Sequence, residues 1–421
     1  MHSNWFEFDE DIRKARDMAL KVTAPALEQV EEVLFHNQQK VLSAFIEEKV
    51  GDYHFAGTTG YGFGDSGREA LSRVWAGIFD AESALVRHNI VSGTHALSII
   101  MRGNLLPGQE ILCATGDPYD TIKPVLGLDK KWEGGLDRWG ITTRVVPLGS
   151  DDMPNVEEIL KTVGPDTGMV FLQRSCGYTW RPSFDVKTLG EVIRAVKKKK
   201  PDVIVMVDNC YGEMVETLEP TSVGADVMGG SLIKNMGGAV APTGGYVVGK
   251  KHLVEGAARA LTCPGIGGDE GATMGISRLL FQGTFFAPLI VSQALKGVIW
   301  ASAFLEEFGL ETKPSWNEPR TDIILGVRLG SIEKQKVFCR GIQQMCPVDS
   351  TAVPEAASLP GYRDPIIMAG GTFIQGSSIE LSCDGPIRWP HGVYLQGGIS
   401  FAHVQLGVMR AVESMRREGL L

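Results

Sequence analysis

The sequence predicts an α/β protein built on a mainly parallel sheet, followed by a smaller α+β domain. Three observations predict it. Short apolar segments, several of them apolar on both faces, alternate with helical stretches, as buried parallel strands and their crossover helices do. The chain has 421 residues, too many for one small domain and suited to a subunit with a large and a small one. The alternation stops near Ser302, where the character of the sequence changes. The expected division is a helical segment over 1–60, a large domain over 61–300 and a small domain over 301–421.

The elements follow in order. Residues 9–50 read as helix, because Leu27, Val30, Val33, Leu34, Val41, Leu42 and Phe45 recur at three- and four-residue steps. Pro25 is expected to start a second helix there. The stretch Gly57-Thr-Thr-Gly-Tyr-Gly-Phe-Gly64 is a glycine-rich loop with an aromatic on either side of Gly62. Strands are expected at 88–91, 110–113, 143–148, 169–173, 203–207, 227–229 and 245–248, the last a candidate for antiparallel pairing. Helices are expected between some of them, at 94–102, 156–163 and 186–199. A helix over 293–308 leads into the second domain, with strands near 323–329 and 378–382.

Composition narrows the function. Hydrophobic residues at 43% and charged residues at 22% allow a sizeable core. A net charge of −9 disfavours nonspecific nucleic-acid or anionic-membrane partners. The seven cysteines contain no C-x-x-C pair and are odd in number, which argues against a disulfide framework or a zinc ribbon. A reducing, cytoplasmic setting is the natural expectation, and no metal site is expected. The first 21 residues are charged and lack the apolar core of a signal peptide, and no uncharged apolar run reaches transmembrane length.

Four local features carry chemistry. Ser92-Gly93-Thr94 stands between the apolar pair Ile90-Val91 and a helical stretch, so free backbone N–H groups and the helix dipole would face an anion there. Tyr119, in Gly116-Asp-Pro-Tyr-Asp-Thr121, follows a strand and can lay its ring on a flat cofactor. Asp208 ends the apolar strand Val205-Met-Val-Asp208, where α/β proteins bind ligands, and its carboxylate could keep a pyridine nitrogen protonated. Lys234 is the only charged residue between Asp226 and Lys250, three residues after Ser231, which could donate to a phosphate. A dry, neutral pocket would lower its pKa and ready it to form a Schiff base. Anion turn, stacking tyrosine, strand-end aspartate and then lysine is the chain order of the pyridoxal 5′-phosphate (PLP) enzymes of the aspartate-aminotransferase fold.

The chain resembles the methionine γ-lyase/cystathionine β-lyase-like family known as aluminium-resistance proteins, within the Cys/Met-metabolism PLP enzymes. The resemblance rests on Gly60-Tyr-Gly-Phe-Gly-Asp-Ser-Gly-Arg68, Ser92-Gly-Thr-His-Ala96, Gly116-Asp-Pro-Tyr-Asp-Thr121, Val207-Asp-Asn-Cys-Tyr-Gly-Glu213 and Gly230-Ser-Leu-Ile-Lys-Asn235. It continues through Pro264-Gly-Ile-Gly267, Pro319-Arg-Thr-Asp322, Pro347-Val-Asp-Ser350, Gly371-Thr-Phe-Ile-Gln-Gly376 and Asp384-Gly-Pro-Ile-Arg388. It implies a PLP-dependent transferase-like, fold type I large domain with a seven-stranded sheet. It puts the Schiff base on Lys234, the pyridinium partner on Asp208 and the ring stack on Tyr119. Ser92, Gly93, Thr94 and Ser231 would hold the phosphate. Tyr61 would reach the neighbouring subunit's site, which implies a homodimer with shared active sites and a tetramer of two such dimers; Arg68 would assist there. The substrate carboxylate calls for an arginine, with Arg388 the first choice and Arg174 the second.

The implied reaction is β- or γ-elimination on an amino acid at a Cβ–X or Cγ–X bond, commonly carbon–sulfur. It releases a 2-oxo acid and ammonia, with Lys234 as the α-proton base. A PLP-dependent aminotransferase and a non-catalytic PLP-binding protein are the two alternatives. The chain departs from the family pattern at Asn235-Met-Gly-Gly238, Ser382-Cys-Asp384 and Trp389-Pro390-His391, where substrate side chains are expected.

Overall fold

A computed structural model describes residues 6–129 and 131–421. The chain divides into two compact units, one of residues 35–288 and one joining the stretch before residue 35 to residues 289–421. This differs from the expected division. The long N-terminal helix is shared between the two units, and the second unit begins before residue 300.

The 35–288 unit holds a seven-stranded sheet: β1 (Ser83–Arg87), β2 (Glu110–Cys113), β3 (Thr142–Val145), β4 (Thr167–Gln173), β5 (Ile204–Asp208), β6 (Val227–Ser231) and β7 (Gly245–Gly249). Their spatial order is β1-β7-β6-β5-β4-β2-β3. Strands β3, β2, β4, β5 and β6 are parallel neighbours, and β7 runs antiparallel to both β6 and β1. The expected mainly parallel sheet with an antiparallel last strand is therefore present. Strands β2, β6 and β7 are buried at every residue, as strands covered on both faces must be, while polar β3 forms the exposed edge.

One expected strand moves. Residues 88–91 form the turn after β1 rather than a strand. Their apolar signal comes from Ile90, wholly buried beneath Gly245, while Val91 is exposed. The ladder that defines β1 pairs Ser83–Arg87 with β7.

The helices are α1 (Glu10–Glu47), α2 (Ser66–Ile78), α3 (Gly93–Asn104), α4 (Ile122–Val125), α5 (Val156–Thr162), α6 (Val186–Lys199), α7 (Lys251–Leu261) and α8 (Ser277–Glu306). Helix α1 runs through Pro25, where a new helix was expected. A proline inside a helix removes one backbone hydrogen bond. Packing on both sides outweighs that loss, since Ile12 and Ala19 are buried before Pro25 and Val30 and Val41 after it. Helix α6 matches its expected bounds, with Asp185 capping its start by accepting from the Thr188 N–H at 2.7 Å. Helix α8 is long and apolar enough to cross a membrane, but 78% of its apolar window is buried inside the protein, as in a core helix.

Helices α3 and α7 cross backbone to backbone. A Cβ on Gly103 would stand 2.2 Å from the Gly256 carbonyl oxygen, and one on Gly256 would stand 2.2 Å from Asn104 Oδ1. Asn104 Nδ2 closes the crossing by donating to the Leu253 carbonyl at 3.0 Å. Gly103→Ala is therefore expected to force the helices apart and destabilise the fold by about 1–3 kcal/mol, the usual cost of overpacking. Urea denaturation of wild type and variant checks this, as a fall in midpoint with no change in slope.

The second unit carries a wholly antiparallel sheet of β8 (Glu311–Lys313), β9 (Ile324–Arg328), β10 (Ala356–Ala357), β11 (Ile366–Ala369), β12 (Ser382–Pro386) and β13 (Gly392–Gln396). Their order is β10-β11-β12-β13-β9-β8. The strand expected at 378–382 starts only at Ser382. Helices α9 (Ile332–Gln343) and α10 (Phe401–Arg417) share its core with Trp300, Phe304 and Ile12.

Candidate active site

The directions of the strands put the C-terminal ends of β1, β2, β4, β5 and β6 on one edge of the sheet, the edge where open α/β sheets bind ligands. The sequence-predicted residues gather there. Ser92 caps α3 by accepting from the His95 N–H at 3.1 Å. The first N–H groups of α3, on Gly93 and Thr94, have no place in the helical ladder and stand ready for an anion. A Cβ on Gly93 would lie 3.2 Å from Cys210 Sγ and 3.5 Å from Ser231 Cβ, so the helix start sits tightly against the ends of β5 and β6. The Thr94 hydroxyl is 2.7 Å from the Thr121 hydroxyl. Ser231 is buried at the end of β6, and its Oγ accepts from the Ile233 N–H at 3.3 Å.

Asp208 is buried at the end of β5. Its Oδ1 accepts from the Cys210 N–H at 3.1 Å. Burial pushes its carboxyl up, and the Lys234 ammonium opposes that shift. Lys234 lies in the turn after β6, its Nζ 3.9 Å from the centre of the Tyr211 ring. Here the structure corrects the sequence. Lys234 is alone among neutral residues along the chain, but the fold surrounds it with Asp208, Cys210, Tyr211 and Glu213. Burial works to lower its amine pKa. Where they are ionised, these four groups outweigh burial and hold it above the usual lysine range. The same environment pushes the Cys210 thiol well up, through burial first and the Asp208 charge second.

Tyr119 sits on the loop after β2. Its N–H donates to Gln173 Oε1 at 2.6 Å, and its ring meets Tyr178 edge-on at 5.5 Å. Gly177 lets the ring settle: it adopts φ +57°, and a Cβ there would stand 2.8 Å from Tyr119 Cδ2.

Three expected residues make their contacts outside this cluster, and Arg388 belongs with its own unit. Tyr61 is 68% exposed on its glycine loop and stacks on Phe63 at 5.4 Å. Arg68 does not face a ligand. Its buried guanidinium donates to the carbonyls of Gly62, Asp269 and Gly271 at 2.8–2.9 Å, fixing the loop that carries Tyr61. Arg388 belongs to the other compact unit, half-buried, with Nη1 3.2 Å from Asp364 Oδ2. Arg174 is a correction. It is fully buried, with Nη2 2.5 Å from Glu216, Nη1 3.6 Å from Glu219 and 2.9 Å from Asn209 Oδ1. A guanidinium so enclosed and paired is a structural ion-pair centre and cannot meet a substrate carboxylate.

Two of the three family departures are also core positions. Met236 and Cys383 are wholly buried, whereas Trp389 is 78% exposed. Cysteines 113, 176, 210, 263, 339, 346 and 383 are all free.

Sequence reasoning assigned no role to Cys210, Tyr211, Glu213 or Asn235. Tyr211 carried no visible signal, yet it adopts φ +71°, a left-handed conformation that a bulky residue accepts only when its surroundings enforce it. Asn235 supplies part of that enforcement, as its amide donates to the carbonyls of Tyr211 at 3.0 Å and Glu213 at 2.9 Å.

The donor set fits PLP. The glycine-floored start of α3 matches a phosphate, buried Asp208 a pyridinium nitrogen, and Lys234 an aldehyde. The comparisons with known proteins agree with that fold. The fold is one shared with known PLP-dependent proteins. The PLP-dependent protein YhfS from Escherichia coli shares it at 17% identity, over 92% of this chain and 97% of that one, with a TM-score of 0.60. The methionine gamma-lyase family model matches residues 12–416, and the chain belongs to that family. It is 45% identical to the uncharacterized protein YnbB of Bacillus subtilis, over 93% of this chain and 94% of that protein. It is 43% identical to a structure from Clostridium novyi described as a carbon-sulfur lyase involved in aluminum resistance, covering 96% of each chain with a TM-score of 0.93.

Proposed function

We propose that this chain binds PLP through Lys234 and cleaves the bond between carbon and sulfur, or a related leaving group, at Cβ or Cγ of an amino acid. A 2-oxo acid and ammonia are the products. The observation that carries the reading is the meeting of Lys234, Asp208 and the Gly93–Ser231 cradle at one edge of the sheet. Bound there, PLP supplies an electron sink for the pair left when the α-proton departs.

The chain's own residues then have separate tasks. Gly93, Thr94 and Ser231, with Ser92 capping the helix, hold the phosphate. Asp208 keeps the ring nitrogen protonated, a task suited to a carboxylate at the end of a buried strand. Tyr119 covers the flat ring. Lys234 anchors the cofactor, yields its place to the substrate amine and takes the α-proton at Nζ. Arg388 is the arginine assigned to the substrate carboxylate, whose two oxygens match the paired donors of a guanidinium. Tyr61, exposed on a loop braced by Arg68, reaches the site of a second copy, so the working form is a homodimer with shared sites and a tetramer built from it. Seven free cysteines suit a cytoplasmic setting.

The test is ammonia release from L-cysteine, L-methionine and L-cystathionine with PLP present and no 2-oxo acid added. The proposal predicts many turnovers on at least one of them, with matching 2-oxo acid. A single equivalent of product that then stops would instead mark an aminotransferase. Bound PLP with no α-proton exchange in heavy water for any amino acid would mark a binding protein without turnover.

A further inference from the structure

Glu213 has no part in the reaction above, yet it lies in the wall of the same site. It is wholly buried. The Tyr246 hydroxyl, on β7, donates to Glu213 Oε1 at 2.6 Å, while Oε2 is buried with no hydrogen-bond partner among the described residues. At its main chain, Glu213 accepts from Asn235 Nδ2, and Asn235 is the chain neighbour of Lys234. Gly230 leaves space for the pair, since a Cβ there would stand 2.9 Å from Glu213 Oε1 and 2.7 Å from the Tyr246 hydroxyl. Trp75 of α2 and Phe79, just past its end, hold the Tyr246 ring at 4.9 and 6.2 Å.

We propose that Glu213 is a positioning residue for Lys234: pinned by Tyr246 at its carboxyl and by Asn235 at its main chain, it sets the charge balance around the lysine amine. The inference rests on the reading of Lys234 as the cofactor lysine. The groups facing Glu213 are Lys234 from the turn after β6, Tyr246 from β7 and Glu219 from its own loop; Cys210 also senses its charge, and α2 adds only aromatic rings. Burial, aided by Glu219, pushes the Glu213 carboxyl up to about 8 despite the Tyr246 hydrogen bond and Lys234. Glu213 is therefore neutral in mildly acidic and neutral solution. Above about pH 8 it adds a negative charge that favours the protonated nitrogen of Lys234.

The test compares PLP-loaded wild type, Glu213→Gln and Tyr246→Phe without substrate, titrating the visible absorbance toward alkaline pH. In Glu213→Gln the midpoint is expected to fall by on the order of one pH unit, the size that one neighbouring charge produces in a dry site. Tyr246→Phe should shift it the same way by less, because the loosened carboxyl ionises later. Unchanged midpoints in both variants would overturn the role of Glu213. A wild type with no visible band would overturn the Lys234 reading itself, so the two failures are distinct.

The cofactor-free chain gives an independent readout. The folded state holds a Glu213 proton that the unfolded chain releases above its ordinary value of 4.5. Wild-type stability should therefore decline as the pH rises from 4.5 to about 8, and Glu213→Gln should flatten that decline. An equally steep decline in the variant would count against Glu213 as the buried proton holder.

Discussion

Lys234→Ala is expected to lower lyase turnover by about 10³–10⁴-fold while leaving the chain folded. The magnitude is that of losing a positioned proton-transfer group, compounded by loss of the cofactor's covalent anchor. The amine sits among Asp208, Cys210, Tyr211 and Glu213, and no other lysine is placed in that cluster by the described contacts. PLP should still bind at the start of α3, since the phosphate donors there do not involve Lys234. The variant's visible spectrum should then match free PLP aldehyde. Steady-state ammonia release together with thermal unfolding separates this from a folding defect. Turnover within tenfold of wild type would remove Lys234 from the chemistry.

The second large effect concerns stability. Arg174→Met removes, among the described residues, the one cation paired with both Glu219 and Glu216, and leaves the buried Glu219 carboxylate with only the more distant charge of Lys40 to offset it. Breaking a buried pair by deleting one partner costs about 3–5 kcal/mol. In a unit of this size, that is a fall of roughly 6–20 °C in melting temperature. Gly212 packs directly against this side chain, where a Cβ would stand 2.4 Å from Arg174 Cδ, so the loop after β5 should loosen as well. The folded fraction should keep a wild-type KM. A KM rise with unchanged stability would return Arg174 to the list of substrate ligands.

The contrast between Lys234 and Arg174 shows what can be read along a chain. Strand ends and glycine turns are local, so Gly93, Asp208 and Ser231 were recognisable from a few neighbours each, and chain order joined them to Lys234. The bounds of β2 and α6 were equally legible, because apolar period and capping residues lie within the segments themselves. What surrounds a side chain is not local. Asp208 and Glu213 precede Lys234 by 26 and 21 residues, and only the parallel pairing of β5 with β6 brings them beside it. That pairing turned an expected neutral pocket into an acidic one. Arg174 misled for the same reason, since Glu216 and Glu219 become its partners only when the loop after β5 folds back. Pro25 failed as a helix boundary because burial of Ile12, Ala19, Val30 and Val41 on either side outweighs one lost hydrogen bond.

Met236 and Cys383 carry a related lesson. Both depart from the family pattern near expected substrate positions, and both point into the core. Of the three departures, only the stretch around Trp389 is exposed to meet a ligand, so specificity differences within the family are best sought there.

Borohydride reduction of the PLP-loaded protein, followed by peptide mass spectrometry, tests the central claim most directly. The account predicts one pyridoxyl group per chain, on the peptide containing Lys234 and on that residue. Unmodified Lys234 with the label on another lysine, or no label at all in protein that binds PLP, would contradict it.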